Sequence, residues 1–383
     1  MHRKISPMYL DYNATTPIDQ RVVLVMEEVH CGPPANAGSR THVYGQSAKD
    51  VVEKARVKVA NVVGMSPDEV IFTSGATESS NLAILGLAAH GEATGRKHII
   101  SSRIEHKAVL EPLKFLASRG FEIEFSPVQA GGFVDPRDIL SRCRDDTLLV
   151  SIMHANNETG ILQDVSEIGR LLLNTKTYFH IDAAQTFGKE SELAEVDFDL
   201  LSVSGHKIYG PQGIGALFIR RREGHRVPIT AIIHGGGQER RLRSGTLAVP
   251  LVVGLGEACQ IAVKEMVKRK TLASRVRLEF LSAINGIEYA INGDSNRSQS
   301  HVVNLRIPGI DSEALMLVLR DTIAISNGSA CSSETYSPSH VLLAMGLSDD
   351  EAMQSVRISW GPGIEKIPAQ IIVSVVESLQ SGF

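Results

Sequence analysis

Tryptophan occurs once in the 383 residues, aromatic residues make up 5% of them, and cysteine appears only four times. Cys31, Cys143, Cys259 and Cys331 lie far apart. No CxxC pair therefore offers a thiolate metal site or a redox couple, and no HExxH pair offers a zinc helix. Few, scattered thiols exclude a disulfide scaffold and fit a reducing compartment, the cytoplasm. No charge of one sign prevails either. With 39 basic and 43 acidic residues the net charge is −4, which gives no electrostatic drive toward nucleic acid or an anionic membrane. Long apolar runs are missing too. The N-terminal MHRKISPMYLDYNATTP holds none suited to a signal peptide, and nothing approaches the roughly 20 residues of a membrane span.

What is present is the balance of a soluble globular protein, 43% hydrophobic and 21% charged, with length enough for two domains. Seven short apolar runs punctuate the first two thirds: Val70–Thr73, His98–Ser101, Glu122–Ser126, Leu148–Met153, Tyr178–Asp182, Leu200–Ser204 and Ala216–Ile219. Amphipathic stretches such as Glu78–His90, Lys107–Arg119 and Val165–Asn174 separate them. Near-continuous apolar strands alternating with helices predict an α/β core around a mostly parallel sheet covered on both faces. A long helical stretch, Pro250–Ile284, then leads into a tail with strands at Val302–Ile307 and Ser355–Ser359 and helices at Asp311–Arg320 and Pro368–Leu379. That mixture predicts a smaller α+β domain.

Ligands of open α/β sheets bind beyond the carboxyl ends of the strands. Four predicted strand ends are rich in polar groups there. Val70–Thr73 runs into Ser74-Gly75-Ala76-Thr77-Glu78, a small-residue turn opening a helix, which suits a phosphate. Taken alone, Thr77 reads equally as a helix cap. The next ends are His154-Ala155-Asn156-Asn157-Glu158, Asp182-Ala183-Ala184-Gln185 and Ser204-Gly205-His206-Lys207. An amine, a carboxylate and a phosphate site on one edge are the three needs of pyridoxal 5′-phosphate (PLP): a lysine for its aldehyde, an acid for its ring nitrogen, and an anion cradle. Lys207, Asp182 and the Thr77 turn with Ser204 and His206 meet them. Gln185 is placed to reach the ring oxygen and His106 to stack on the ring, although a histidine there reads also as a helix cap. His234-Gly235-Gly236-Gly237 has no GxSxG serine to serve, and no P-loop or dinucleotide turn occurs.

The runs DYNATTP (11–17), FTSGATES (72–79), EHKAV (105–109), SIMHANNETG (151–160), HIDAAQ (180–185), SGHKIYGPQGIGAL (204–217), RSGT (243–246) and SNGSACSS (326–333) resemble, in order and over almost the whole chain, the cysteine desulfurases of nitrogen fixation and iron–sulfur assembly. The resemblance implies the PLP fold-type I architecture of the aminotransferases. A large domain, residues 16–258, would hold the seven-stranded sheet, and a small domain, residues 1–15 and 259–383, would carry the cysteine loop. It implies a homodimer that converts L-cysteine to L-alanine and passes sulfur to an acceptor protein.

Carried onto this chain, Lys207 holds the cofactor, Asp182 pairs with its ring nitrogen, Gln185 meets its phenolate and His106 covers its ring. Ala76, Thr77, Ser204 and His206 hold its phosphate, with Thr246 of the second subunit. Asn157, itself beside the cofactor, and Arg357 hold the substrate carboxylate, for which a guanidinium fork is suited. Cys331 sits in a run of small polar residues that cannot bury much surface, so packing explains it poorly. By resemblance its thiolate takes the sulfur, with His106 as relay for its proton. Asn327 and the Trp360-Gly361-Pro362-Gly363 stretch depart from the family pattern near that loop. The chain ends at Phe383, where housekeeping members carry a further scaffold-docking segment. This turns the expected acceptor toward DNA phosphorothioation, tRNA thiolation or nitrogenase maturation, beside iron–sulfur assembly. A selenocysteine lyase or another small-substrate PLP enzyme is the alternative, and it would not require Cys331.

Overall fold

The computed structural model describes residues 7–34, 36–222, 224–328 and 337–381. Its strands, in chain order, are β1 (Met8–Tyr9), β2 (Val70–Thr73), β3 (His98–Ser102), β4 (Glu122–Ser126), β5 (Thr147–Met153), β6 (Tyr178–Asp182), β7 (Leu200–Ser204), β8 (Gly215–Ile219), β9 (Arg221–Arg222), β10 (His225–Arg226), β11 (Ala290–Ile291), β12 (Val302–Arg306), β13 (Ile323–Ala324) and β14 (Ser355–Ser359). The chain is α/β. Strands β2 to β8 form one sheet in the order β2-β8-β7-β6-β5-β3-β4, parallel except for β8, which runs against β2 and β7.

The seven predicted runs become these seven strands, and their alternation shows why they read as continuous apolar sequence. Ile71, Leu149, Leu200 and Leu217 face one layer of helices, while Phe72, Val150, Leu201 and Phe218 face the other. Each fully buried side chain of this kind contributes about 1.5–3 kcal/mol. Only β4, at the edge, leaves Glu122 exposed. The helix predicted over Glu78–His90 is instead two, Ala76–Gly86 and Ala88–Thr94. The Gly86 carbonyl accepts from Thr230 N (2.9 Å) and Thr230 Oγ1 (3.0 Å), which diverts it from the helical ladder.

The helix Val249–Ala283 buries Val252, Leu255 and Ile261 in the sheet's core. It then buries Ala273, Val276 and Phe280 in a second core with Val303, Val356 and Trp360. That core packs on the antiparallel sheet β11-β12-β14. β1 pairs with β13, so the residues that follow β1 are carried from the second core toward the carboxyl edge of the large sheet. No helix among the described residues is long and apolar enough to cross a membrane.

Candidate active site

A cavity of about 550 Å³ opens at the carboxyl ends of β2, β5, β6 and β7, within the usual range for a cofactor pocket. Ala76, Thr77, His106, Asn157, Asp182, Gln185, Ser204, His206, Lys207 and Arg357 all line it. Ten of the twelve residues singled out in the sequence therefore meet in one place. Thr246 is exposed and lies outside the cavity of its own chain, and Cys331 falls outside the described residues.

The phosphate-like corner is built by backbone. The helix Ala76–Gly86 starts at Gly75, whose φ of +155° suits glycine, and no side chain caps it. Thr77 is thus in the first turn rather than at the cap, and the orphan amides of that turn border the cavity. Gly215 permits this arrangement. A Cβ there would stand 2.4 Å from Val203 O and 2.6 Å from Gly75 Cα. Ser204, 4% exposed, and His206 close the corner. Burial and the neighbouring Lys207 push His206 down to about 4, so it is neutral at pH 7; its Nδ1 lies 3.0 Å from Thr15 Oγ1.

Asp182 ends β6 at 5% exposure and accepts from Ala184 N at 2.9 Å. Burial raises its carboxyl, against the pull of His106 and Lys207. A cation placed against it restores the ionised form. Lys207 ends the short turn Gly205–Lys207, and its Nζ donates to Asn13 O and Ala14 O, the latter at 2.8 Å. Gln185 donates one amide hydrogen to Asn13 O (2.9 Å), while its Oε1 is buried without a partner.

His106 unites its two readings. It caps the helix Lys107–Ser118, Nδ1 accepting from Ala108 N at 3.1 Å, and its ring still lines the cavity. That bond places the proton of the neutral ring on Nε2. Although solvent reaches the ring through the cavity, the surrounding protein desolvates it and lowers its pKa, with Asp182 opposing. Arg357, 3% exposed, donates to Asn157 O (2.8 Å) and Asp11 Oδ1 (2.5 Å); its Nε is buried without a partner. It is a paired, buried cation rather than a solvated strand end.

Asn13, Ala14, Thr15, Glu158 and His340 also line the cavity. The sequence assigned them no role because the first three lie on no sheet strand and act partly through backbone carbonyls. The DYNATTP and HANNETG runs were the available signal.

An uncapped helix turn, a buried carboxyl, a lysine amine and the second N–H of the Gln185 amide fit the phosphate, ring nitrogen, aldehyde and phenolate of PLP. These groups, on residues 76–77, 182, 207 and 185, all line the one cavity.

The comparisons agree. The model of the family described as "Aminotransferase class-V" matches residues 8–365. A mitochondrial cysteine desulfurase of Arthroderma benhamiae is 46% identical over 93% of this chain and 71% of its own. The cysteine desulfurase IscS of Photorhabdus laumondii is 45% identical over 93% of this chain and 88% of its own. Among solved structures, DndA from Streptomyces lividans superposes with a TM-score of 0.81 at 47% identity, covering 91% of this chain and 98% of its own. A NifS-like protein reaches 0.89 at 36% identity, over 98% and 100%. With its motifs gathered around one pocket and a family match that spans nearly its whole length, this chain belongs to the class-V aminotransferase family, in the PLP fold-type I architecture.

Proposed function

We propose that the described cavity is the catalytic site of a cysteine desulfurase and that the residues lining it carry the roles given below. The chain is a PLP-dependent cysteine desulfurase that acts in sulfur transfer. The observation that carries the assignment of roles is the convergence of Asp182, Lys207 and the uncapped Gly75–Thr77 turn on one cavity.

PLP, when bound, supplies an electron sink for negative charge at the substrate Cα. Lys207 would hold its aldehyde and Asp182 its protonated ring nitrogen. The second amide hydrogen of Gln185 would meet the phenolate. The amides of Ala76 and Thr77 with Ser204 and neutral His206 would hold the phosphate. Thr246 completes that corner from a second subunit, which explains its exposure here. His106 covers the ring and Asn157 flanks it.

Arg357 and Asn157 receive the cysteine carboxylate, and the unpaired Nε of Arg357 supplies a donor already desolvated. The Lys207 amine, steered by the carbonyls of residues 13 and 14, removes and later returns the Cα proton. The Cys331 thiolate attacks the substrate sulfur. A sulfur–sulfur bond forms as the Cβ–S bond breaks, the electron pair goes to Cβ, and a proton there completes L-alanine. Cysteine plus the Cys331 thiol thus becomes alanine plus a Cys331 persulfide. Because His106 Nδ1 accepts from Ala108 N, Nε2 is the atom through which it would relay the thiol proton, giving up the hydrogen it carries before taking the one from the thiol.

We place the protein in the cytoplasm as a homodimer and its acceptor among proteins of iron–sulfur assembly, tRNA thiolation or DNA phosphorothioation. We place the domain boundary at residues 258–259, inside the helix that joins the two cores. The test is sulfide and alanine release from L-cysteine, with dithiothreitol to reduce the Cys331 persulfide, by wild type, Cys331→Ala and Lys207→Ala. The assignment predicts both products from wild type, none from Cys331→Ala with cofactor retained, and loss of cofactor attachment in Lys207→Ala. Full activity of Cys331→Ala would instead indicate another PLP lyase.

A further inference from the structure

The segment that bears Cys331 leaves the described chain after Gly328 and returns before Ser337. Both of its described ends meet the same side chain. Gly328, at φ +85°, lies so close to Glu158 that a Cβ there would stand 3.0 Å from Cγ and 3.1 Å from Oε2. On the other side, Ser339 donates its hydroxyl to the same Oε2 at 2.5 Å. Ser339 also accepts from Val341 N and Leu342 N, both at 3.2 Å, as the cap of the helix His340–Ala344. Glu158 is therefore hydrogen-bonded to the root on the return side and leaves no room for a side chain at Gly328 on the departing side, whose own N donates to Ser326 Oγ at 3.0 Å.

Glu158 is itself held still. It is 2% exposed and sits on a turn in which Asn156 Oδ1 accepts from Glu158 N (2.9 Å) and Thr159 N (3.0 Å). Its own carbonyl accepts from Asn304 Nδ2 at 3.2 Å. The preceding Asn157 carbonyl holds Arg357 and Asn13. The turn so joins the candidate carboxylate-binding arginine, the carbonyl that steers Lys207 and the roots of the cysteine segment. Around the carboxyl stand Ser339, His340 and Arg357, all of which favour its ionised form against the burial that raises it. Further out on the return side, His340 Nε2 donates to Glu105 O at 3.0 Å, tying the same root to the residue before His106.

A buried acid costs stability unless its partners compensate, and here its hydrogen-bond partner is Ser339, at the return end of that segment. We infer that Glu158 is a positioning residue for the nucleophile: by bonding Ser339 and lying close against Gly328, it fixes the two points between which the Cys331 segment is anchored. This rests on the reading of Cys331 as sulfur acceptor. It gives no part to Glu158 in cofactor or carboxylate binding. Misplacing an attacking atom by about 1 Å costs up to roughly 100-fold in rate.

The test uses PLP-loaded Glu158→Ala, Ser339→Ala, Glu158→Gln and Cys331→Ser beside wild type. Three quantities are measured: PLP content, the change in cofactor absorbance on adding L-cysteine, and alanine formed in a single turnover. Glu158→Ala and Ser339→Ala should keep the first two at wild-type level and form alanine roughly tenfold or more slowly. Glu158→Gln, which can still accept from Ser339, should recover most of that rate. If both Ala variants form alanine at the wild-type rate while Cys331→Ser forms none, the positioning role is wrong and the desulfurase reading stands. A parallel loss of PLP or of the cysteine-induced absorbance change would make Glu158 a general framework residue and also overturn the inference. If Cys331→Ser forms alanine normally, the reading on which the inference rests has failed.

Discussion

Alanine at Gly215 places a methyl group 2.6 Å from Gly75 Cα and 2.4 Å from Val203 O. Both neighbours are backbone, so no side chain can swing away. To reach ordinary contact at 3.4 Å, the Gly75 turn has to retreat by about 0.8 Å. Overpacking of this kind costs about 1–3 kcal/mol of stability. More telling is the second consequence, because that turn presents the amides expected to hold the cofactor phosphate. A hydrogen bond to a charged group contributes about 1.5–3 kcal/mol, so losing one weakens PLP binding roughly 10- to 100-fold. The assay is titration of apo protein with PLP, followed by absorbance, alongside thermal melts of the apo form. Gly95→Ala is the comparator. Gly95 has φ +71° and nothing within 4 Å of its Cβ direction, so alanine there costs about 1–2 kcal/mol in backbone strain and touches no ligand site. Gly215→Ala should lose both stability and PLP affinity, and Gly95→Ala stability alone. Equal, near-wild-type PLP affinity in the two variants would refute the backbone cradle.

Arg357→Lys keeps the charge but loses the planar fork, and should raise KM for cysteine roughly 10- to 100-fold with a smaller change in kcat, read from steady-state alanine formation. Arg56→Met leaves Glu239 buried without the guanidinium that now pairs with it at 2.7 and 2.8 Å, and should cost about 3–5 kcal/mol in urea unfolding. His180, fully buried between Ser151 and Ser202, is pushed down to about 3. It stays neutral in the fold while the unfolded chain protonates near pH 6.5, so its contribution is intact above pH 6.5. As the pH falls toward 3, about 4 kcal/mol is lost, measurable as a falling unfolding free energy that His180→Asn flattens.

The seven strands were legible because each lies between two helical layers and must be apolar on both faces, a constraint written locally in runs such as Leu148–Met153. The helix break after Gly86 was not, since its cause, Thr230, is 144 residues away. Among the site residues, Asp182, Ser204 and Lys207 could be found because a strand end fixes which edge they occupy. Asn13, Ala14 and Glu158 could not. The first two act through carbonyls, and the third through an oxygen whose hydrogen-bond partner is 181 residues further on.

By itself, then, the sequence determined the layered α/β architecture, the chemistry gathered on one edge of the sheet and the family to which those motifs point, because periodicity and strand-end position are local properties. Only the tertiary structure decided that His106 both caps a helix and lines the cavity, that Arg357 is buried against Asp11, that Gly215 makes room for the Gly75 turn, and that Glu158 bonds Ser339 while lying close against Gly328. Each of these depends on atoms far apart in the chain meeting at a few ångströms, a distance that packing alone sets.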